Sequence, residues 1–118
     1  MKRILIIDND KSTLEVLELI LKEYYEVKTA EDSVSFFQLV KSFKPDLVIV
    51  DYLLAETITG FHICEKLSHN SNTQHIAIIL FSVMNNLTLP DHLQHCYFIQ
   101  KPFDLDYLIN KVSRLIKS

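Results

Sequence analysis

The chain has 118 residues, of which 48% are hydrophobic and 23% charged, with a formal net charge of -3. That size and composition suit one soluble globular domain, and the slightly acidic balance argues against a nucleic-acid surface, which normally shows a basic excess. No apolar run approaches the ~18 residues that span a bilayer, and a single glycine excludes any phosphate-cradling loop that needs several.

Met1-Lys2-Arg3 leads into only four apolar residues, too few for a signal peptide, so a cytoplasmic protein is expected. Ile4 to Ile7 is an all-apolar run ending at Asp8, which suits a strand buried on both faces. From Ser12 to Tyr24, Leu14, Leu17, Leu21 and Tyr24 recur at helical spacing. Val27 to Ala30 reads as a second strand. A second helix follows, carrying Val34, Phe36, Phe37, Val40 and Phe43, capped by Asp32 or Ser33 and stopped before Pro45.

Asp46 to Val50 is a third strand that ends at Asp51, and Gly60 to Leu67 a third helix. Ile76 to Phe81 and Tyr97 to Ile99 are the fourth and fifth strands, and Leu105 to Ile116 a closing amphipathic helix. Between the last two strands, Asn85, Asn86 and Pro90 allow at most a short fourth helix, over Pro90 to His95. Strands alternating with helices imply βαβ crossovers and a parallel sheet covered on both sides. The fold class is therefore α/β: a doubly wound, five-stranded, flavodoxin-like sheet in the order 2-1-3-4-5, over residues 1–118 as one domain.

Such sheets react at the carboxyl ends of their strands. The first strand delivers Asp8, Asn9 and Asp10, the third Asp51, the fourth Ser82 and the fifth Lys101-Pro102. Taken singly, each has a plain structural reading as turn, cap or surface residue. Jointly they converge on one edge. Clustered carboxylates raise each other's pKa and suit a hard cation such as Mg²⁺. A hydroxyl and an ammonium opposite them can hold the oxygens of a phosphoryl group moving onto a carboxylate. The constellation reads as metal-assisted phosphoryl transfer to Asp51.

Ile4 to Asp10, Pro45 to Asp51, Phe81-Ser82 and Lys101-Pro102-Phe103, in this order and spacing, resemble the receiver domain of bacterial two-component response regulators. The resemblance implies Asp51 as phosphoacceptor, fed by a histidine kinase or a phosphotransfer protein. It implies Asp8 and Asn9 at Mg²⁺, together with Asp51 and the backbone carbonyl of Leu53. Ser82 then meets the phosphoryl group, and Lys101 pairs with it through a segment whose Lys101-Pro102 bond is often cis in the family. Phosphorylation adds about -1.5 to -2 charges and biases a two-state loop toward an unknown downstream protein. Such a chain is not an enzyme beyond its own phosphoryl transfer and hydrolysis, and touches neither nucleic acid nor membrane directly. The same chain also fits the N-terminal part of a longer regulator.

Several positions depart from the family pattern. Asn9 replaces the second acid, which predicts weaker Mg²⁺ binding unless Asp10 compensates. Ala55 stands where proline is common, and Gly60 comes one place late. Val83 follows Ser82 where a small residue is usual, and Phe98 replaces the switch tyrosine. These departures support an alternative, a degenerate receiver acting as a non-phosphorylated interaction module. A flavodoxin-like electron carrier is disfavoured, because Asp8-Asn9-Asp10-Lys11 would repel a flavin phosphate. Cys64 and Cys96, without metal-ligand spacing, read as reduced, partly buried thiols. His92, His95 and Cys96 read as exposed polar residues rather than metal ligands. The pair Tyr24-Tyr25 reads as helix-end packing.

Overall fold

The computed structural model describes residues 1–83 and 88–116. Strands β1 (Arg3–Ile7), β2 (Glu26–Ala30), β3 (Leu47–Asp51), β4 (Ala77–Ser82) and β5 (Tyr97–Gln100) alternate with helices α1 (Lys11–Leu21), α2 (Ser33–Phe43), α3 (Gly60–Ser68) and α4 (Leu105–Leu115). All strand pairs are parallel, in the expected order β2-β1-β3-β4-β5.

The central strands are apolar throughout because successive side chains serve different layers. Ile4, Ile6, Leu47, Ile49, Ile79 and Phe81 pack with Leu14, Leu17 and Leu21 of α1 and with Leu108 and Val112 of α4. Their alternates Leu5, Ile7, Val48, Val50, Ile78 and Leu80 pack with Phe36 and Val40 of α2 and with Ile63 and Leu67 of α3. Each fully buried aliphatic side chain contributes roughly 1.5–3 kcal/mol, so this two-sided core is the main stabilising term. Among the described residues no helix is long and apolar enough to cross a membrane.

Asp10, Asp32 and Asp104 each accept a hydrogen bond from a backbone N–H at the start of α1, α2 and α4, worth about 1 kcal/mol apiece. At the other end of α2, Lys44 turns left-handed at φ 53° and Pro45 prevents continuation.

Three expectations change. Helix α1 stops at Leu21 rather than Tyr24, because the N–H groups of Tyr24 and Tyr25 both turn back to the Leu21 carbonyl. That turn delivers Glu26 to β2, leaves Tyr24 exposed and packs Tyr25 against the core, edge-on to Tyr24 at 6.5 Å. Val34 is 68% exposed: with Asp32 as cap, the inward stripe of α2 is Phe36, Val40 and Phe43. The short fourth helix is a 3-10 turn, Asp91–Leu93, whose bonds reach back three residues so that Cys96 can bend into β5. Asn85 and Asn86 lie outside the described residues.

Gly60, the chain's one glycine, starts α3 where the helix meets the end of β3. A Cβ there would lie 2.7 Å from the Asp51 carbonyl oxygen and 2.9 Å from Tyr52 Cα, and the Gly60 N–H donates to the Tyr52 carbonyl at 2.8 Å. Space, not a left-handed backbone, demands glycine here. Gly60→Ala is expected to lower stability by ~1–3 kcal/mol through overpacking; an unchanged denaturation midpoint would refute this account.

Candidate functional site

The register sets Ile7 beside Val50, Asp51 beside Phe81, and Ser82 beside Gln100. Asp8 and Asp51 therefore leave neighbouring strands at the same level, with Ser82 and Lys101 alongside. Asp8, Asp51 and Ser82 are the buried polar side chains among the described residues, with exposures of 1%, 7% and 2%. Lys101 closes the arrangement: its Nζ lies 2.8 Å from Asp8 Oδ2 and 3.5 Å from Asp51 Oδ1. The Lys101 N–H donates to the Ser82 carbonyl at 2.7 Å, which fixes where the side chain starts. The Lys101-Pro102 bond that follows is cis.

One ammonium faces two buried carboxylates. Desolvation first, and the neighbouring Asp8 charge second, push Asp51 up from 3.8 to about 6, with Lys101 opposing the rise. Asp8 is held from both sides, by Lys101 at one oxygen and by the Asp10 N–H at 2.9 Å on the other. Lys101 also lies over the Phe81 ring, 5.6 Å from its centroid, and Phe103 covers that ring at 4.7 Å. These two aromatics form the apolar flank that desolvates the ammonium. In the sequence, Phe103 is marked only by its place in the Lys101-Pro102-Phe103 motif.

The remaining candidates stand at the margin. Asn9 and Leu53 have exposed side chains. Asp10 is exposed as well, and its carboxylate accepts from Ser12 N–H and Thr13 Oγ at the start of α1. Those bonds, Thr13's first, hold its carboxyl below the usual range. Val83 is 61% exposed and lines, with Ser12, Thr13, Lys101, Phe103 and Leu105, an open groove beside the site. Phe98 is half-buried on β5.

Glu56 was not singled out from sequence, yet it pins the loop after Asp51. Its carboxylate accepts from Ser33 N–H at 2.9 Å and Ser33 Oγ at 2.6 Å, placing an anion at the start of α2. No local pattern links residues so far apart in the chain. His92 and His95 are exposed as expected, but Cys96 is buried, because just before β5 it joins the apolar layer that includes Ile63 and Leu67 of α3.

Among the described residues no three of His, Cys, Asp and Glu stand close enough to hold a metal ion. The donor set is nevertheless apt for a hard cation: two buried carboxylates with one compensating ammonium among the described residues, and Asn9 and Leu53 exposed beside them. Mg²⁺ is commonly held by one or two carboxylates with the rest of its shell as water, so these residues fit it.

The response regulator receiver domain profile matches residues 4–113. Response regulator PleD of Caulobacter vibrioides is 30% identical across 98% of this chain, which spans 26% of PleD. Sensory transduction protein BceR of Halalkalibacterium halodurans is 29% identical across 99% of this chain, which spans 51% of BceR. The chain thus spans about a quarter to a half of these curated relatives. In the solved structure of histidine kinase ThkA in complex with response regulator protein TrrA, one chain superposes with a TM-score of 0.83 at 28% identity, covering 99% of this chain and 100% of that one. Sheet order, strand-end acids and a match over nearly the whole fold agree, and the chain belongs to the receiver domains of two-component response regulators.

Proposed function

We propose that this receiver is phosphorylated on Asp51, taking the group from the phosphohistidine of a histidine kinase or phosphotransfer protein. Mg²⁺ would be held by Asp8 and Asp51 with the Leu53 carbonyl and the Asn9 side chain. The observation that supports this most is Lys101 Nζ lying between Asp8 and Asp51, 2.8 and 3.5 Å from their oxygens. An Asp51 oxygen attacks phosphorus, the phosphorus–nitrogen bond of the donor breaks, and the donor imidazole keeps that electron pair. Lys101 exchanges its contact with the Asp51 carboxylate for one with the new phosphoryl oxygens, while Asp8 keeps the ammonium in place. Ser82, at the end of β4, offers its hydroxyl to another oxygen. The bound cation would neutralise charge on the phosphoryl oxygens during transfer.

Burial makes Asp51 more basic than an exposed carboxylate, yet still largely ionised at pH 7. Phosphoryl uptake should therefore fall as pH drops below about 6. The direct test is incubation with acetyl phosphate and Mg²⁺ followed by intact mass. One added phosphoryl group, absent in Asp51→Asn and in chelator, is expected; an unmodified wild-type chain would overturn the proposal.

Asn9→Asp adds a third acid to the edge. It is expected to tighten Mg²⁺ binding by on the order of tenfold, about 1.4 kcal/mol, read as a lower Mg²⁺ midpoint for phosphorylation. An unchanged midpoint would show that position 9 does not touch the ion.

A second reading has a specific observation in its favour. Asn9 is neutral and the Asp10 carboxylate caps α1, which leaves two acids where the family pattern has three. On that reading the chain is a non-phosphorylated interaction module, and the acetyl phosphate experiment separates the two.

A further inference from the structure

At the amino ends of β3 and β4, opposite the edge that carries Asp51, the helices α2 and α3 and the loop leading into β4 line a cavity of about 770 Å³. Its floor is apolar, formed by Val40, Leu67 and Ile76 with the half-buried ring of Phe37. Its rim carries Lys41, Lys44, Lys66 and His75, all exposed. Among the described residues no Asp or Glu lines it, although the chain as a whole has a net charge of -3.

Lysines near helix ends commonly complement the helix dipole, and Lys41 and Lys66 stand in the last turns of α2 and α3. Two helix ends together supply only about -1 elementary charge, against one positive charge from each of the three lysines. An excess of about +2 remains. Neighbouring acids do not remove it: Asp46 accepts from the Arg3 N–H at 2.9 Å, and Glu65 faces His92 at 3.7 Å. Among the described residues none of the three ammoniums is ion-paired. Lys66 instead lies over the Phe37 ring, 5.3 Å from its centroid, joining rim to floor. The loop wall is already fixed. Asn70 Oδ1 accepts from the Asn72 N–H at 2.9 Å, the Asn70 carbonyl accepts from the Gln74 N–H at 2.8 Å, and Thr73 Oγ donates to the Leu67 carbonyl at 2.7 Å. Little ordering entropy therefore opposes binding on that side.

We propose that this cavity binds an anion carrying at least two phosphate groups on an organic body, the chemistry of a nucleoside diphosphate. Ammoniums act as point charges toward phosphate oxygens, and three of them at one rim suit a ligand with more than one phosphate. The apolar floor suits a flat base, and about 770 Å³ falls within the range of small-molecule sites. Asp51 ends β3 roughly 13 Å from Leu47, at about 3.3 Å per residue. The cavity is thus a second site, and the inference does not rest on phosphorylation of Asp51.

The test is a ¹H–¹⁵N NMR titration of the full chain in chelator at fixed ionic strength, with ADP, pyrophosphate and orthophosphate as separate ligands. ADP should saturate with a Kd below about 1 mM and shift the amides of Lys44, Asn72 and His75 most. Lys41→Gln combined with Lys66→Gln, both on exposed side chains, should weaken ADP by on the order of tenfold, a few-fold for each exposed charge lost. Lys22→Gln, the same charge change at the end of α1, should leave it within about twofold. Pyrophosphate should bind more weakly than ADP, and orthophosphate more weakly still. Failure of ADP to saturate would overturn the proposal. So would equal weakening by Lys22→Gln and by the double variant, which would mean non-specific attraction to positive charge. Shifts centred on Asp8, Asp51 and Lys101 would move ADP to the other edge and overturn the site. Pyrophosphate binding as tightly as ADP would overturn the organic body.

Discussion

Asp51→Asn is expected to abolish phosphoryl uptake and, in the metal-free protein at pH 7, to raise stability by on the order of 2 kcal/mol. The two effects have one cause. Asp51 is buried beside Asp8 and shares a single ammonium with it, so its carboxyl is pushed from 3.8 to about 6. The folded state therefore binds a proton at Asp51 more tightly than the unfolded chain. Stability from this group is present below about pH 4 and is lost as pH rises through about 6. At pH 7 the ionised folded protein carries the full penalty, and the neutral amide removes it. In chelator, wild type should thus lose stability between about pH 4 and 6 relative to Asp51→Asn, with the two converging at the acid end. Saturating Mg²⁺ should narrow the gap at pH 7, because a cation that binds only the folded state stabilises it. Equal denaturation midpoints for the two proteins at pH 7 in chelator would sink the electrostatic account while leaving the phosphorylation result to be judged separately.

Lys101→Ala should have the opposite sign and a larger size, a loss of about 3 kcal/mol at pH 7. Lys101 is the counter-charge for Asp8, which is 1% exposed, and for Asp51. Without it, two buried carboxylates face each other unpaired. The loss should shrink as pH falls, because the folded variant then takes up a proton that relieves the repulsion. The ammonium is 17% exposed, and solvent reaching it keeps the effect below that of a fully buried pair. Urea titrations at pH 7 and pH 5 decide the matter: a variant equally destabilised at both would mean that Lys101 acts through packing on Phe81 rather than through its charge. Asp51→Asn should also stabilise more in the Lys101→Ala background than in wild type, a coupling that a double-mutant cycle measures.

The particular residues show why some features were legible beforehand. Asp8, Asp51 and Ser82 were readable because each directly follows an apolar run, and a run buried on both faces announces both the strand and its carboxyl end; Lys101, one residue beyond the short run Tyr97 to Ile99, was marked instead by the Lys101-Pro102-Phe103 motif. The cap at Asp32 was a local signal of the same kind, since a capping carboxylate bonds only residues within the next turn, whereas the caps Asp10 and Asp104 emerged from the structure. Val34 and Tyr24 misled because hydrophobicity alone does not set helical phase or length. The cap at Asp32 and the turn after Leu21 do that, and they leave both side chains in water.

By itself the sequence determined the alternation of strands and helices, the parallel sheet and its order, and which residues stand at the carboxyl ends of its strands. These follow from periodicity, caps and chain connectivity, which act over a few residues at a time or constrain topology globally. Only the tertiary structure decided that Lys101 neutralises Asp8 more closely than Asp51, that Glu56 fastens the loop to Ser33, and that Gly60 is required for space. Each of those joins residues far apart in the chain across distances of a few ångström. Electrostatics and packing at that range depend on how the layers seat against one another, which no short stretch of sequence encodes.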